Sequence, residues 1–215
     1  MTTKLQFQKG ASVQTKNGLE VGTVERVVVN PATNELAGIV IRSSGLLNSD
    51  EKVVPTRLVA KATEDLVLLR EEAGDLESMP AFEEERLVES NRSANQSPPV
   101  MNEPPLSMGA PVMGLPVPSV REPQTRLEQN IPEGTVALKE GAKVITAEGK
   151  HVGNVESVLA DPADEVTHLL VSKGLLTKEK KLIPMKWVRA LGEEKVQLRV
   201  KRSTVEKLAD ASLAA

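Results

Sequence analysis

A mainly β protein is predicted, built as two small β-barrels with short helices after each and joined by a flexible proline-rich linker. Three observations predict it. The phrase EVGTVERVVVNP at Glu20–Pro31 returns as HVGNVESVLADP at His151–Pro162, 131 positions later. Both have a Val-Gly start, a Val-Glu centre, a β-branched run and an Asn-Pro or Asp-Pro stop. Hydrophobic content is 40%, yet Phe7, Phe82 and Trp187 are the only aromatic residues. Cores must then be filled by Val, Leu and Ile, whose branched shapes suit strands. Finally, nine of the 14 prolines lie between Pro98 and Pro132, among Met101, Met108 and Met113. Such a stretch cannot form a core and reads as a flexible spacer. The length, 215 residues, allows one or two domains. The division that follows is a first β-domain with a helical tail at 5–90, a Pro/Met-rich linker at 91–133, and a second β-domain with a C-terminal helix at 134–215.

Each element has its own warrant. Gly10-Ala11-Ser12-Val13 opens the first unit, and Asn17-Gly18 is a hairpin signal. In the strand that follows, apolar residues fall on both faces after Glu25. This predicts a bend or bulge near Glu25–Arg26, which a strand coiling around a small barrel needs. Gly22 and Gly153 permit close packing or a kink within that strand. Asn30-Pro31 starts a type I turn, with the Asn side chain bonding the backbone and Pro fixing φ. A second strand runs from Leu36 to Arg42. Another ends at Pro55, which cannot donate to a ladder, and Arg57–Ala62 and Asp65–Arg70 read as two more. From Gly74 to about Ser90, Leu76, Met79, Phe82 and Leu87 recur at roughly helical spacing beside Glu83, Glu84 and Glu85. A short helix or two is predicted there, with the glutamates on a solvated face.

The second unit repeats the first. Gly141-Ala142-Lys143-Val144 answers Gly10–Val13, Glu148-Gly149 answers Asn17-Gly18, and Val166–Ser172 answers Leu36–Arg42. Leu182-Ile183-Pro184 answers Val53-Val54-Pro55, and Val196 and Leu198 answer Val67 and Leu69. The gaps fall in loops, where length changes cost little. A last helix is expected from Ser203, with Ser203 as N-cap, Glu206 closing a capping box, and Val205 and Leu208 as apolar contacts.

In this order, the residues resemble the PRC-barrel family. The pattern is a Gly-x-x-Val opening, a turn Gly, Val-Gly-x-Val-x-x-Val, Asn/Asp-Pro, an apolar strand, and an apolar-apolar-Pro segment followed by Arg57-Leu58-Val59 or Lys186-Trp187-Val188. It covers about 60 residues of each half and is found twice. Members are similar to the cytoplasmic domain of the photosynthetic reaction centre H subunit. They are also similar to the C-terminal domain of the ribosome maturation factor that binds a small-subunit protein. The resemblance implies a small β-barrel without a catalytic centre, used as an assembly surface. It carries over no catalytic, cofactor-binding or metal-binding residue.

Composition and motifs narrow the function classes. A net charge of −3 with 27% charged residues does not suit a whole-chain polyanion binder. The absence of cysteine removes disulfides, thiol nucleophiles and Cys-ligated zinc, and fits a reducing compartment. MTTKLQFQKG has no apolar run of a signal peptide, and no segment approaches the ~18 apolar residues of a membrane span. A cytoplasmic protein is the expectation. His151 and His168 are the only histidines and read as ordinary strand residues, since a metal site needs a pair or a carboxylate cluster at ligand spacing. Asp161, Asp164 and Glu165 could do acid–base work, but Asp161 answers Asn30, and the turn explains it. The glycines lack the third member and the helix of a phosphate cradle.

One asymmetry points to a partner. Residues 172–189 carry Lys173, Lys178, Lys180, Lys181, Lys186 and Arg189 against Glu179 alone, whereas 43–60 are nearly balanced. A basic hairpin beside Trp187 can meet RNA phosphates, anionic lipid headgroups or an acidic partner, and a lysine-blunted sheet edge is the plainer reading. The scarcity of aromatics argues against single-stranded RNA, which relies on stacking. The expected function is a non-catalytic adaptor with two binding modules for protein partners and no cofactor or small-molecule substrate; self-association is compatible with it. A tether would raise the effective concentration of the second contact, or the two barrels could pack as a pseudo-dimer with the linker looped out. A ribosome- or RNA-associated factor and a peripheral membrane-surface protein are the alternatives.

Overall fold

A computed structural model describes residues 5–43, 50–71, 78–88, 124–174 and 179–211. The first repeat forms β1 (Leu5–Gln8), β2 (Ser12–Gln14), β3 (Glu20–Val29), β4 (Leu36–Ser43), β5 (Glu51–Pro55), β6 (Val59–Ala62) and β7 (Leu66–Leu69). A two-stranded ladder follows, β8 (Glu83–Val88) with β9 (Gln124–Gln129). The second repeat gives β10 (Val136–Lys139), β11 (Lys143–Ile145), β12 (His151–Ala160), β13 (Val166–Lys173), β14 (Glu179–Pro184), β15 (Val188–Leu191), β16 (Lys195–Leu198) and the helix α1 (Arg202–Glu206).

The two barrel-like sheets are there, seven strands each, but neither is made from one repeat alone. The first runs β5-β4-β3-β2-β7-β6 and takes β10 onto β3; the second runs β14-β13-β12-β11-β16-β15 and takes β1 onto β12. The exchange is reciprocal and in register. Leu5 faces Ala160 and Phe7 faces Val158, while Val136 faces Val29 and Leu138 faces Val27. These pairs interchange when each residue is replaced by its counterpart in the other repeat. The turns after β3 and β12 meet as well: the Leu36 amide donates to the Asp164 carbonyl at 2.7 Å, and the Val166 amide to the Asn34 carbonyl at 2.8 Å. Residues 1–83 and 129–215 form one compact unit, and 84–128 another. One apolar cluster runs through both sheets, from Phe7, Val13, Ile39 and Val67 to Leu138, Val144, Leu169 and Val196.

Local chemistry explains the long strands. In β3 the register shifts between Val24 and Arg26, and in β12 between Val155 and Ser157. The bulge expected at Glu25 is therefore present in both copies. A Cβ built on Gly22 would lie 2.1 Å from the Arg42 carbonyl oxygen, and one on Gly153 2.6 Å from that of Ser172. Only glycine lets β3 and β12 come so close to their neighbours. Asn30 Oδ1 accepts the Ala32 amide, and Asp161 Oδ1 accepts those of Ala163 and Glu165 at 2.9 and 3.0 Å, as the turn reading requires.

Two helical expectations are corrected. Within Gly74–Ser90, residues 74–77 and 89–90 lie outside the described residues, and Glu83–Val88 is a strand. Pro80 interrupts any helix through this window. The Phe82 amide instead donates to the Glu51 carbonyl at 2.7 Å and the Pro80 carbonyl accepts from the Val53 amide at 3.0 Å, so this segment runs along the β5 edge. At the other end, α1 starts at Arg202 with Lys201 as N-cap and no side-chain cap. The Glu206 carboxylate closes no capping box; it takes the Arg202 guanidinium at 2.6 Å, an i,i+4 pair. Val205 is buried and Leu208 packs on the core, as expected. Of the stretch 91–133, residues 91–123 lie outside the described residues, and Gln124–Gln129 is the strand β9.

Candidate binding surface

The duplicated bulges carry a polar cluster into an apolar core. A bulge turns one extra side chain inward; here it buries Glu25 and Glu156. Their partners differ. Glu25 meets the Lys9 ammonium at 3.1 Å and the Arg42 guanidinium at 3.0 Å. Glu156 meets Lys180 at 2.8 Å through one oxygen, while its other oxygen has no hydrogen-bond partner among the described residues. Beside Glu25, Arg26 reaches Glu51 at 3.4 Å and bonds Glu193 of the second repeat, with its guanidinium 4.7 Å over the Phe82 ring. The Lys9 amide donates to the Glu140 carboxylate. Phe7, Glu25, Leu138, Glu140, Glu156 and Ser157 are among the residues lining a cavity of about 10 Å³, room for about one water molecule.

The basic hairpin is partly neutralised where it is described. Lys180 pairs with Glu156 and lies 3.9 Å from Glu64. Its hydrogen bond to Glu156 holds its pKa above the ordinary lysine value, against the opposing effect of partial burial. Lys181 meets Glu179 at 2.8 Å and donates to the Leu208 carbonyl at 2.7 Å. Lys173, Lys186 and Arg189 are exposed, and Lys178 lies outside the described residues. The five described positions thus divide into two internal cations and three that face solvent.

The remaining candidates take structural places. His151 is exposed and bonds Asn154 at 3.0 Å; His168 lies half-buried on β13. Burial, then the nearby Asp161 charge, raise the Asp164 carboxyl pKa, and Arg70 lowers it in part. Among the described residues no group of three His, Cys, Asp or Glu is placed to hold a metal ion. A depression of about 580 Å³ is lined by charged chains, among them Lys139, Lys143, Glu194 and Lys195, together with the apolar Ala142 and Ile145. No described helix is long and apolar enough to cross a membrane. Sequence reasoning placed a bulge at Glu25–Arg26 but did not single out Glu25, Glu156, Arg26 or Lys9 as members of buried charge pairs. The signal was there in the repeated Val-Glu centre, but their partners are set by strand exchange.

The family model described as PRC-barrel domain matches residues 9–76 and again 140–205. The chain belongs to the PRC-barrel family. The two matched segments coincide with the two repeats, so this PRC-barrel protein carries tandem copies. Both matches start just after the exchanged strands β1 and β10, which lie outside them. Among curated proteins none matches the chain.

Proposed function

We propose that this PRC-barrel protein is a non-catalytic adaptor, a rigid scaffold that holds protein partners on two unlike faces. The observation that carries it is the reciprocal strand exchange, with β1 in the second sheet and β10 in the first. A tether between free modules would gather partners by effective concentration. Shared strands instead hold the two modules together, so a bound pair keeps one spacing. The charged residues support surface recognition over chemistry: Glu25, Arg26, Glu156 and Lys180 are used in internal pairs. Lys173, Lys186 and Arg189 are left exposed on the second copy.

The test is capture from the native host with the tagged full chain, with and without nuclease and at raised salt. A defined set of proteins should stay bound after nuclease. Loss of all captured material with nuclease overturns the protein adaptor in favour of an RNA-associated factor. Flotation of the chain with anionic liposomes would overturn it in favour of a membrane-surface role.

A further inference from the structure

The two sheets have equivalent outer faces, and among the described residues an extended segment pairs along the outer edge of the first alone. On the first, Val28, Val40 and Val53 form a cluster with Ala137 and Phe82. Val28, Val40 and Phe82 are fully buried, 0% exposed. The cover is the segment Pro80–Phe82, held to the β5 edge by the Val53 amide on the Pro80 carbonyl and the Phe82 amide on the Glu51 carbonyl. On the second sheet the same positions are Leu159, Leu170 and Leu182. Leu170 stands opposite Leu182, just as Val40 stands opposite Val53. Leu170 is buried at 8% exposure and Leu159 and Leu182 are partly buried, and among the described residues the three leucines join neither apolar cluster.

Among the described residues the β14 edge lacks the backbone bonds that close the β5 edge. Val53 donates away from its sheet, so the matching register aims the Leu182 amide away from β13. Among the described residues no backbone carbonyl from outside the sheet reaches it. The nearest counterpart of the first-repeat cover is the C-terminal segment, which meets β14 through side chains: the Lys180 amide donates to Asp210 Oδ1 at 3.2 Å and Lys181 Nζ to the Leu208 carbonyl at 2.7 Å. Two side-chain contacts thus stand where the first repeat uses two backbone bonds and an aromatic ring.

We propose that the β14 edge and the Leu159–Leu170–Leu182 face bind an extended segment of a partner protein, acidic and bearing an aromatic side chain. The segment adds a strand antiparallel to β14. Its backbone carbonyl accepts the Leu182 amide, and two residues later its amide donates to the Lys180 carbonyl, as Pro80 and Phe82 do on β5. Strand addition supplies affinity through the main chain and specificity through alternate side chains. The aromatic ring rests on the leucines; each is one methylene longer than the valine it replaces, so the ring sits higher than Phe82 does. Charge selects the flanks. Lys173, across from Glu179 at one end of β14, and Lys186, just past Pro184 at the other, are both exposed, and acidic neighbours of the aromatic meet them.

This site rests on the adaptor reading and names the kind of partner that one face takes. The probe is a fluorescent peptide copying residues 78–85, SMPAFEEE, mixed with the full chain, with anisotropy as the readout. Saturable binding is expected. It should weaken about tenfold when the peptide phenylalanine becomes alanine or when the protein carries Leu182→Asp. Lys173→Glu, an exposed change that leaves the core untouched, should weaken it at low salt. A photoreactive phenylalanine in the peptide should crosslink to Leu159 or Leu182. Absence of binding, indifference to both protein variants, or crosslinks to β5 would each overturn the proposal. So would binding that arises only after residues 208–215 are removed, because the chain's own end would then be the occupant. Loss of self-association in Leu182→Asp without peptide binding would assign the face to a second copy and overturn it too. Host capture that succeeds while the peptide fails sinks this site and leaves the adaptor standing.

Discussion

At the scale of the residue, the instructive pair is Glu156 and Lys180. A carboxylate buried in a valine-rich strand costs several kcal/mol unless a cation meets it. Here the cation comes from β14, and one carboxylate oxygen still lacks a partner among the described residues. Lys180→Met should therefore destabilise the protein by about 3 kcal/mol, and adding Glu156→Leu should recover most of it. Urea unfolding of the three variants measures this; a double variant no better than the single would refute it. The pH dependence follows from the raised Lys180 pKa. A lysine held above its unfolded value contributes stability that is complete below that value. The contribution disappears as pH rises through the folded value, so the wild type should lose its margin over Lys180→Met above about pH 10. The repeat equivalents show how one position takes opposite charges. Lys180 stands where the first copy has Glu51, and there Arg26 and Arg42 reverse the pairing.

At the scale of the element, the segment Pro80–Phe82 decides why the first sheet is closed on its outer face. An uncovered edge strand invites pairing with another chain, and two backbone bonds with one buried ring prevent it at β5. Phe82→Ala should cost about 3–5 kcal/mol. It should also speed hydrogen exchange at the Val53 amide, whose acceptor is the Pro80 carbonyl, more than at the Val13 and Val67 amides in the core. Equal exchange at all three would mean that the ring does not hold the edge. The helical reading of this stretch failed for a definable reason. Its apolar spacing suits a helix over one turn only, whereas Pro80 and an unpaired edge favour extended pairing. The bulges at Glu25 and Glu156 were legible, because a strand whose apolar residues change face midway has to bend. The capping box was not, since a short sequence signature cannot reveal that Arg202 will compete for Glu206.

At the scale of the whole molecule, the repeats behave as a dimer written into one chain. The exchanged strands satisfy a two-fold relation that two separate copies of one repeat could satisfy as well. Cleaving the chain within 91–123 should leave the two pieces associated, because β1 and β10 hold them by backbone pairing and a shared core. They should co-elute as one body in size exclusion, and separate only on unfolding. Pieces that part under native conditions would contradict the exchange. The tether expected from the prolines then has a different consequence. It connects two halves that β1 and β10 already join.

Duplication, β content, turn chemistry, the strand bulges and family membership were all legible in the residues, because each depends on local geometry or on order along the chain. The glycines of β3 and β12 belong to the same class, since close approach leaves no room for a side chain. What only the tertiary structure decided is which strand pairs with which repeat. A strand of Leu5–Gln8 fits either β3 or β12 equally well by pattern, because the two are copies. The choice between pairing within a repeat and pairing across repeats depends on the shared core and on contacts such as Arg26 with Glu193. For the same reason the sequence could not separate the outer face that Phe82 covers from the one that it does not. Three valines and three leucines look alike until Phe82 is found lying on only one set.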